Sequence, residues 1–369
     1  MLEGKMPAAV LRQTNRRQVY QYIHDKDGAV TGEEVAGALT MELSAVLTSL
    51  DDLVERGMVT VPPGSRAYML AAQALYAVGI SITSDGAYIS VLDMRLRELA
   101  GRELDMPFCH TKSYYERLIR EMESLLNESG LDTGHILGVG LTFPGIIDRG
   151  EEKLVMAPTL ELWDVPLEEI YRHFAPYSVY AENDANASGY VERWLDGGQR
   201  DMIYLSLRRG VGGAILLRDR QYTGDNGRSA EFGHMRIVPG GRQCSCGHKG
   251  CLEAYCSTDR LSVDLGVTLK TFFARLEDGD EAFIAVWEEY RDHLTDALSM
   301  LRVNFDCDIM LGGELALYLE PHLPELYWEL GEKAFFEADS MYLKLARFGP
   351  HSDCAGTALR FIDDFLLAF

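Results

Sequence analysis

The first part of the chain has apolar residues at helical spacing, followed by two short β-like runs. Apolar positions repeat helically over 11–23, and Thr31 is suited to cap a second helix. A third helix is predicted over 42–56, and apolar runs on either side of a Pro-Pro-Gly turn predict a two-stranded wing over 58–70. This order predicts a winged helix-turn-helix domain, the usual form of a DNA-binding module, over residues 1–72.

From residue 76 onward, short β-rich runs alternate with amphipathic helices. This alternation predicts an α/β domain, and the sheet should be mixed because the first two strands form a hairpin. The residues between the two parts, 71–74, are predicted to be a hinge. The predicted strands are 77–82, 88–92, 136–142, 202–207, 214–217 and 309–311, and the predicted helices are 113–127, 187–194, 283–305 and 355–367.

The composition is that of an acidic protein, with a formal net charge of -22 over 369 residues. Such a field opposes the DNA backbone, so DNA binding would need a local basic patch. The sequence lacks an apolar run long enough for a membrane span, and residues 1–5 do not resemble a signal peptide. We therefore expect a cytoplasmic protein that does not bind membranes.

Three of the seven cysteines fall within eight residues and follow a histidine. His234, Cys244, Cys246 and Cys251 would complete a tetrahedral shell, which is typical of structural zinc because it leaves no open position. His248 is a rival ligand, and the alternative is three buried free thiols. In a reducing compartment this spacing favours the metal over disulfides.

Four motifs along the chain resemble the ROK family, named for repressors, open reading frames and kinases. The resemblance runs through Leu11–Arg17, the Gly138–Gly145 strand and loop, Glu182–Ala187 and the Glu231–Glu253 block. It favours the transcriptional-regulator branch, which includes xylose and N-acetylglucosamine repressors. It implies a two-lobed actin/hexokinase-like (ribonuclease H-like) domain over 73–369 with a structural zinc. Lobe one would span about 76–185 plus the C-terminal helix, and lobe two about 186–355.

The resemblance also implies a sugar in the cleft between the lobes. Sugar hydroxyls are bound by carboxylates, amides and imidazoles, and the implied contacts are Asn183, Asp184, Glu231, His234 and Glu253. The alternative is that Asp184 caps a helix and Glu231 is a solvated charge. The family usually has an asparagine where this chain has Thr159, so the identity of the sugar stays open.

The phosphate loops of the family's kinases are altered in this chain. Kinases carry Asp-x-Gly-Gly-Thr where this chain has Ser81 to Asp85, and Gly-Thr-Gly where it has Arg208-Arg209-Gly210. Close approach of backbone amides to phosphates needs small residues. Asp184 would then be a vestigial base, and we predict no catalytic residue and no enzyme activity. Arg208 and Arg209 would hold an anion such as a sugar phosphate, or else be solvated.

The predicted DNA-binding module is itself acidic, with seven Lys and Arg against nine Asp and Glu over 1–72, a net charge of -2. Its third helix offers few side chains suited to reading base edges. The predicted base contacts are Ser44, Thr48 and Ser49, and the predicted phosphate contacts are Arg12, Arg16, Arg17 and Arg66.

Together these features predict a sugar-responsive transcriptional regulator, a repressor. Its partners would be a sugar or sugar phosphate, operator DNA and further copies of the chain in a homodimer or tetramer. The first alternative is a ROK-type sugar kinase using ATP. The second is a non-catalytic sugar-binding interaction protein whose DNA-binding module has lapsed.

Overall fold

The computed structural model describes residues 8–368 apart from 27, 219 and 336–339. The expectation that there is no signal peptide rests on residues 1–5, which lie outside the described residues. The described helices are α1 Ala8–Asp25, α2 Gly32–Leu39, α3 Leu43–Glu55, α4 Lys112–Glu128, α5 Leu167–Tyr171, α6 Asp184–Leu195, α7 Glu253–Cys256, α8 Leu269–Glu277, α9 Glu281–Phe305, α10 Leu323–Lys333 and α11 Ser352–Ala368. The described strands are β1 Val30–Thr31, β2 Val59–Thr60, β3 Ala67–Leu70, β4 Tyr76–Ile82, β5 Ala87–Asp93, β6 Glu98–Leu104, β7 Ile136–Phe143, β8 Ile146–Asp148, β9 Lys153–Ala157, β10 Leu162–Pro166, β11 Val179–Asn183, β12 Met202–Leu207, β13 Val211–Leu216, β14 Gln221–Tyr222, β15 Asp308–Gly312 and β16 Leu343–Leu345. In the part of the chain so described, the helices include none long and apolar enough to cross a membrane.

The N-terminal module consists of α1, α2 and α3 and an antiparallel sheet in the order β1-β3-β2. The predicted cap at Thr31 is confirmed, since its hydroxyl accepts a hydrogen bond from the Glu34 backbone N–H at 3.2 Å. Val46, Leu50 and Leu53 on α3 are fully buried and form the module's core. The wing residues pair with β1 as well as with each other, which makes a three-stranded sheet.

Two five-stranded sheets with the same topology form the body of the molecule. The first has the order β11-β7-β4-β5-β6, and the second has the order β14-β13-β12-β15-β16. In each sheet the first strand in sequence pairs in parallel with a later strand on one side and antiparallel with a hairpin partner on the other. Each therefore begins as a three-stranded meander and is extended by two parallel strands, as expected for a mixed sheet.

Two helices, α6 and α11, lie between the sheets. Helix α11 packs on β4 and β7 of the first sheet, α6 packs on β12 and β13 of the second, and the helices pack on each other. Their backbones approach closely at Gly356, where a Cβ would lie 1.8 Å from the Ala187 carbonyl oxygen. The two lobes therefore meet through a pair of tightly packed helices.

The N-terminal module shares a hydrophobic cluster with α6, α11 and the β4–β5 hairpin. His24 is buried in this contact, and its Nε2 lies 2.7 Å from the Met94 carbonyl oxygen. The ring of His24 also meets Trp194 edge to face at 6.1 Å. The predicted hinge at 71–74 is wrong, because the Ala71 N–H donates to Met58 and the Ala72 carbonyl accepts from Met94, which ties the linker to both parts.

The strands and helices predicted from hydrophobic periodicity are confirmed to within a few residues at their ends. The small antiparallel sheet β10-β9-β8 was not predicted. Its strands are short, and strand β9 is only partly buried, so their alternation is too brief to stand out from a loop.

Candidate functional site

The first group of predicted sugar contacts lies where parallel strands of the first sheet end. Asn183 is the last residue of β11 and pairs with Phe143, the last residue of β7. Its Nδ2 donates to the Gly145 carbonyl at 3.0 Å, and its Oδ1 accepts from the Asn186 N–H at 2.9 Å, which caps α6. Asn183 rather than Asp184 is therefore the helix cap, and it also holds the loop that follows β7.

Asp184 is the first residue of α6 and is half-buried. One carboxylate oxygen accepts from the Ala185 N–H at 2.9 Å. Burial raises the pKa of Asp184, while the positive charge of Arg208 acts in the opposite direction and the negative charge of Asp353 adds to the rise. Asp184 is therefore an electrostatic neighbour of both Arg208 and Asp353.

Glu231 precedes a single 3-10 turn, Phe232–His234, in which His234 is the last residue. The His234 N–H donates to the Glu231 carbonyl at 3.0 Å, so the two residues are tied through the backbone. Burial in the cleft raises the pKa of Glu231; His234 opposes this rise, and Asp184 and Glu253 add to it. Asp184, His234 and Glu253 are therefore electrostatic neighbours of Glu231.

Glu253 is held by two segments that meet at the same place. Its Oε1 accepts from the Ser245 hydroxyl at 2.6 Å, and its Oε2 accepts from the Val211 N–H at 3.1 Å. Ser245 lies between two of the clustered cysteines, while Val211 begins β13. The cysteine loop therefore orients a carboxylate of the cleft.

The cysteine cluster has the geometry of a four-coordinate metal site. The ligand atoms of His234, Cys244, Cys246 and Cys251 lie within 4.8 Å of one another. Ligands on a tetrahedral metal with bonds of about 2.3 Å would lie about 3.8 Å apart. Cys246 Sγ and Cys251 Sγ are 3.7 Å apart, and Cys244 Sγ is 3.8 Å from His234 Nδ1.

The rival ligand, His248, also lies beside this cluster, with its Nδ1 at 3.6 Å from Cys246 Sγ. Its distance to a single thiol is similar to that of His234, but His234 belongs to the set whose ligand atoms are all mutually close. The turn is closed by Gly247 and Gly250, which adopt φ of 85° and 83°. Only glycine enters this region without strain.

The three thiols compete for negative charge. Burial raises the pKa of Cys244 to about 12 and also raises that of Cys251. Burial acts the same way on Cys246, but hydrogen bonds from the His248 backbone and ring and from the other thiols outweigh it and lower its pKa to about 6. The protein alone stabilises one thiolate, whereas a divalent metal stabilises all three. The donor set therefore fits a soft divalent ion.

An ion pair fills the place of the altered phosphate loops. Arg208 Nη2 lies 3.2 Å from Asp353 Oδ1, and Asp353 is fully buried. The other oxygen of Asp353 accepts from the hydroxyls of Ser81 at 2.5 Å and Thr142 at 3.1 Å. Burial tends to raise the pKa of Asp353, but Arg208 and the two hydroxyls outweigh it and lower the pKa.

A second arginine of this loop also meets a carboxylate of the first lobe. Arg209 Nη1 lies 2.7 Å from Asp85 Oδ2, and its Nε lies 3.6 Å from Asp259 Oδ1. Asp85, at the end of the altered first loop, thus forms an interlobe ion pair with an arginine of the altered second loop. Because both side chains are more than half exposed, the pair contributes little to stability.

The predicted DNA contacts differ in exposure. Arg12, Ser44, Thr48 and Arg66 are exposed, and Arg17 is half-buried. The prediction for Ser49 is wrong, because Ser49 is only 6% exposed and its hydroxyl donates to the Ala45 carbonyl. Arg16 is bound to Asp52 at 2.7 Å, so it ties α1 to α3 and its charge is already compensated.

Sequence reasoning missed Asp353, Ser245 and Thr142. Asp353 lies 272 residues after Ser81, and a pairing so distant in sequence leaves no local pattern. Thr142 and Ser245 lie inside segments that were singled out for other residues. An acidic residue among the small and apolar residues of the first two turns of the terminal helix was the available signal for Asp353.

Two lobes with the same five-stranded topology, joined by packed helices around a polar cleft, define a fold of the actin and hexokinase type. Residues 77–360 match the ROK family, so the chain belongs to this family. The predicted resemblance, including its regulator branch, is confirmed. The prediction of the α/β two-lobed fold is confirmed as well.

The relatives include repressors. The chain is 28% identical over 262 residues to the xylose repressor of Caldicellulosiruptor bescii, covering 67% of this chain and 65% of that repressor. It is 22% identical over 333 residues to the DNA-binding transcriptional dual regulator NagC of Escherichia coli, covering 83% and 82%. The match to the xylose repressor thus spans just under two thirds of that protein's length.

Solved structures of regulators and of kinases share the fold. A ROK family transcriptional regulator, a homologue of the Escherichia coli MLC protein, has a TM-score of 0.75 at 20% identity, covering 97% of this chain and 98% of that one. A ROK hexokinase from Thermus thermophilus has a TM-score of 0.62 at 26% identity, covering 77% and 97%. The fold alone therefore does not distinguish a regulator from a kinase. The residues of the site have to make that distinction.

Proposed function

We propose that this chain is a sugar-responsive transcriptional repressor that binds a sugar or sugar phosphate between its lobes and does not phosphorylate it. The proposal rests on one contrast within the cleft. The implied sugar contacts Asp184 and Glu253 are electrostatic neighbours of Glu231, whereas the altered phosphate loop carries the Arg208–Asp353 ion pair. The names of the relatives, a xylose repressor and NagC, support the same function.

The loop residues argue against ATP. Phosphoryl transfer needs backbone amides close to the phosphates and an acid that holds magnesium. Here the Arg208 side chain spans from β12 to Asp353 on α11, and Ser81 stands where the kinases carry their aspartate. A general base alone, Asp184, supplies little of the electrostatic stabilisation that this reaction requires.

The metal of this proposal is zinc with a structural role. Three thiolates and one imidazole are the soft donors that zinc prefers, and four protein ligands leave no position for a substrate. When bound, the ion would neutralise thiolates that the fold cannot stabilise alone. It would also fix the loop whose Ser245 hydroxyl orients Glu253, while His234 Nδ1 faces the cluster and leaves Nε2 for the sugar.

The N-terminal module is proposed to be a winged helix-turn-helix that reads DNA, with exposed Ser44 and Thr48 toward the bases and Arg12 and Arg66 toward phosphates. Arg17 remains in the proposed phosphate set. In a homodimer or tetramer, sugar-driven movement of the lobes would change the spacing of two such modules. The acidic character of α3 is the feature that most strongly opposes DNA binding by this module.

The test begins by selecting binding sites from a random double-stranded DNA library with the full zinc-loaded chain. Affinity for the selected site is then measured by fluorescence anisotropy with xylose, glucose, N-acetylglucosamine and their phosphates. We expect one sugar to weaken DNA binding, and Glu231→Gln to retain DNA binding but lose the response to that sugar. Glu161→Gln is the matched control, because Glu161 is an exposed carboxylate outside the set of cleft contacts.

Three outcomes would contradict the proposal or part of it. Failure to enrich any DNA site would favour an interaction protein whose module has lapsed. Magnesium-dependent ATP consumption that requires a sugar and disappears in Asp184→Asn would favour the kinase. An unchanged DNA affinity at saturating sugar, with sugar binding established by calorimetry, would refute the coupling.

A further inference from the structure

A cavity of about 420 Å³ lies in the first lobe and shares no residue with the implied sugar contacts. It is formed where the start of α4 meets the end of α5 and the turn after it. A cavity of this size suits a small molecule. The cavity is lined by His110, Thr111, Lys112, Tyr115, Glu169, Arg172 and His173.

The charges around this cavity are mostly positive, in a chain whose net charge is -22. Lys112 and Arg172 carry full positive charges, two histidines lie beside them, and Glu169 is the one acidic residue of the lining. Lys112 also lies 3.3 Å from Glu116, but both side chains are exposed and such a pair is weak. The lining itself therefore holds two cations and one acid, and the exposed Glu116 lies beside it in a weak pair with Lys112.

The pKa of His173, in the cavity wall, responds to the same positive charges. Burial lowers the pKa of His173, and the positive charges of Arg172, His110 and Lys112 lower it further, against a small opposing effect of Glu116. Like charges held together cost free energy, and a bound anion removes that cost. The pKa direction thus agrees with the geometry of the lining.

The backbone adds donors on the same side. Helix α4 has 17 residues and begins at Lys112, with Thr111 as its cap. The first amides of a helix have no acceptor within it, and the helix dipole favours negative charge there. The Thr111 hydroxyl accepts from the Tyr114 N–H at 3.3 Å. The cap thus fixes this end of the helix beside the cationic side chains.

The remaining wall is aromatic. The rings of Tyr115 and His173 stack with centroids 5.0 Å apart at 11°. Tyr115 is fully buried, and its hydroxyl lies 2.8 Å from His110 Nδ1, which orients that imidazole. A planar guanidinium, an ammonium and a helix start suit a doubly charged oxyanion better than a single carboxylate. The partly exposed ring of His173 suits an organic group attached to it.

We propose that this cavity is a second ligand site, separate from the interlobe cleft, for a small phosphomonoester dianion. The phosphoryl group would lie between Lys112, Arg172 and the start of α4. The organic part would contact the His173 ring, which stacks on the buried Tyr115.

The test uses phenyl phosphate and inorganic phosphate as probes in isothermal titration calorimetry on the full zinc-loaded chain. The site variants are Lys112→Gln, Arg172→Gln and their double. Losing one charge-assisted hydrogen bond should weaken phenyl phosphate binding by about tenfold or more. Inorganic phosphate should bind more weakly than phenyl phosphate because it lacks the ring.

The chain offers a matched control at another helix start. Helix α8 begins after the Thr268 cap and carries the exposed Lys270 in its first turn. Lys270→Gln should leave binding unchanged, and Arg209→Gln reports on any phosphate bound in the cleft instead. Unchanged melting temperatures without ligand would establish that the site variants fold.

Three results would overturn the proposal. The first is the absence of a saturable heat with either probe. The second is equal weakening by Lys270→Gln, which would indicate a general charge effect. The third is weaker phenyl phosphate binding in Arg209→Gln together with unchanged binding in the double variant. This result would indicate that the phosphate binds in the cleft.

Discussion

Replacing Arg208 by glutamine should destabilise the protein through a carboxylate that lies on the other side of the cleft. Asp353 is fully buried, and the guanidinium of Arg208 lies 3.2 Å from it. The substitution removes the positive charge but leaves Asp353 in place. The hydroxyls of Ser81 and Thr142 still donate to Asp353, but they are neutral.

The size of the loss follows from the burial of the two partners. Removing one member of a buried ion pair costs about 3–5 kcal/mol because the other charge is left uncompensated. Arg208 keeps 23% of its side chain exposed, and the remaining hydroxyls compensate part of the charge. We therefore expect the free energy of unfolding at pH 7 to fall by about 2–3 kcal/mol.

The loss should depend on pH, with a sign fixed by Asp353. In the native protein the pKa of Asp353 is lowered, so its contribution to stability is present above the unfolded pKa and is lost as pH falls through the folded value. Without Arg208 the burial remains and raises this pKa. Protonation of Asp353 then removes the uncompensated charge from the variant. The loss in free energy of unfolding should therefore be largest at pH 7 and shrink toward about pH 5.

Urea denaturation at pH 7 and pH 5, followed by tryptophan fluorescence and circular dichroism, measures this difference. Arg209→Gln is the control, because it removes the neighbouring arginine from an exposed pair and should change stability by less than about 0.5 kcal/mol. Equal effects of the two substitutions would refute the reasoning. So would a deficit of Arg208→Gln that stays constant between the two pH values.

Three further substitutions test other parts of the structure. Cys246→Ser should release zinc, measured by atomic emission, and lower the melting temperature, whereas the exposed Cys109→Ser should do neither. Gly233→Ala should lower the free energy of unfolding, measured by urea denaturation, by about 1–3 kcal/mol and should reduce the zinc content, because the added Cβ would lie 2.0 Å from a backbone carbonyl oxygen. Unchanged stability and zinc content would contradict that close contact. His24→Gln should speed hydrogen exchange in the N-terminal module, since it removes the ring that meets Trp194; exchange as slow as in the native chain would show that His24 does not hold the module.

The elements and the histidine–cysteine cluster could be predicted because their signals are local. The four cluster residues lie within 234–251, and the strands of both sheets follow apolar runs. Ser49 shows a local signal that was available but overlooked. It lies three residues after Val46 and four before Leu53, so it belongs to the buried face of α3 and not to the exposed one.

Contacts between distant segments were beyond the sequence. The Arg208–Asp353 pair joins residues 145 apart, and the burial of His24 depends on Met94 in a separate part of the fold. The prediction of a hinge at 71–74 was wrong for the same reason. Small residues indicate a flexible backbone only where no other part of the chain packs on them. Such contacts depend on the tertiary arrangement, which periodicity does not encode.

The two central helices give the cleft and the N-terminal module a thermodynamic connection. Helices α6 and α11 have 12 and 17 residues. Both begin at carboxylates of the cleft and end against the module, where Phe365 meets Tyr20 at 6.3 Å. A tilt of about 5° about the cleft end of α11, about 25 Å long, moves its far end by about 2 Å. Because coupling is reciprocal, DNA that fixes the module would also resist this tilt, so it should weaken sugar binding by the same factor by which sugar weakens DNA binding.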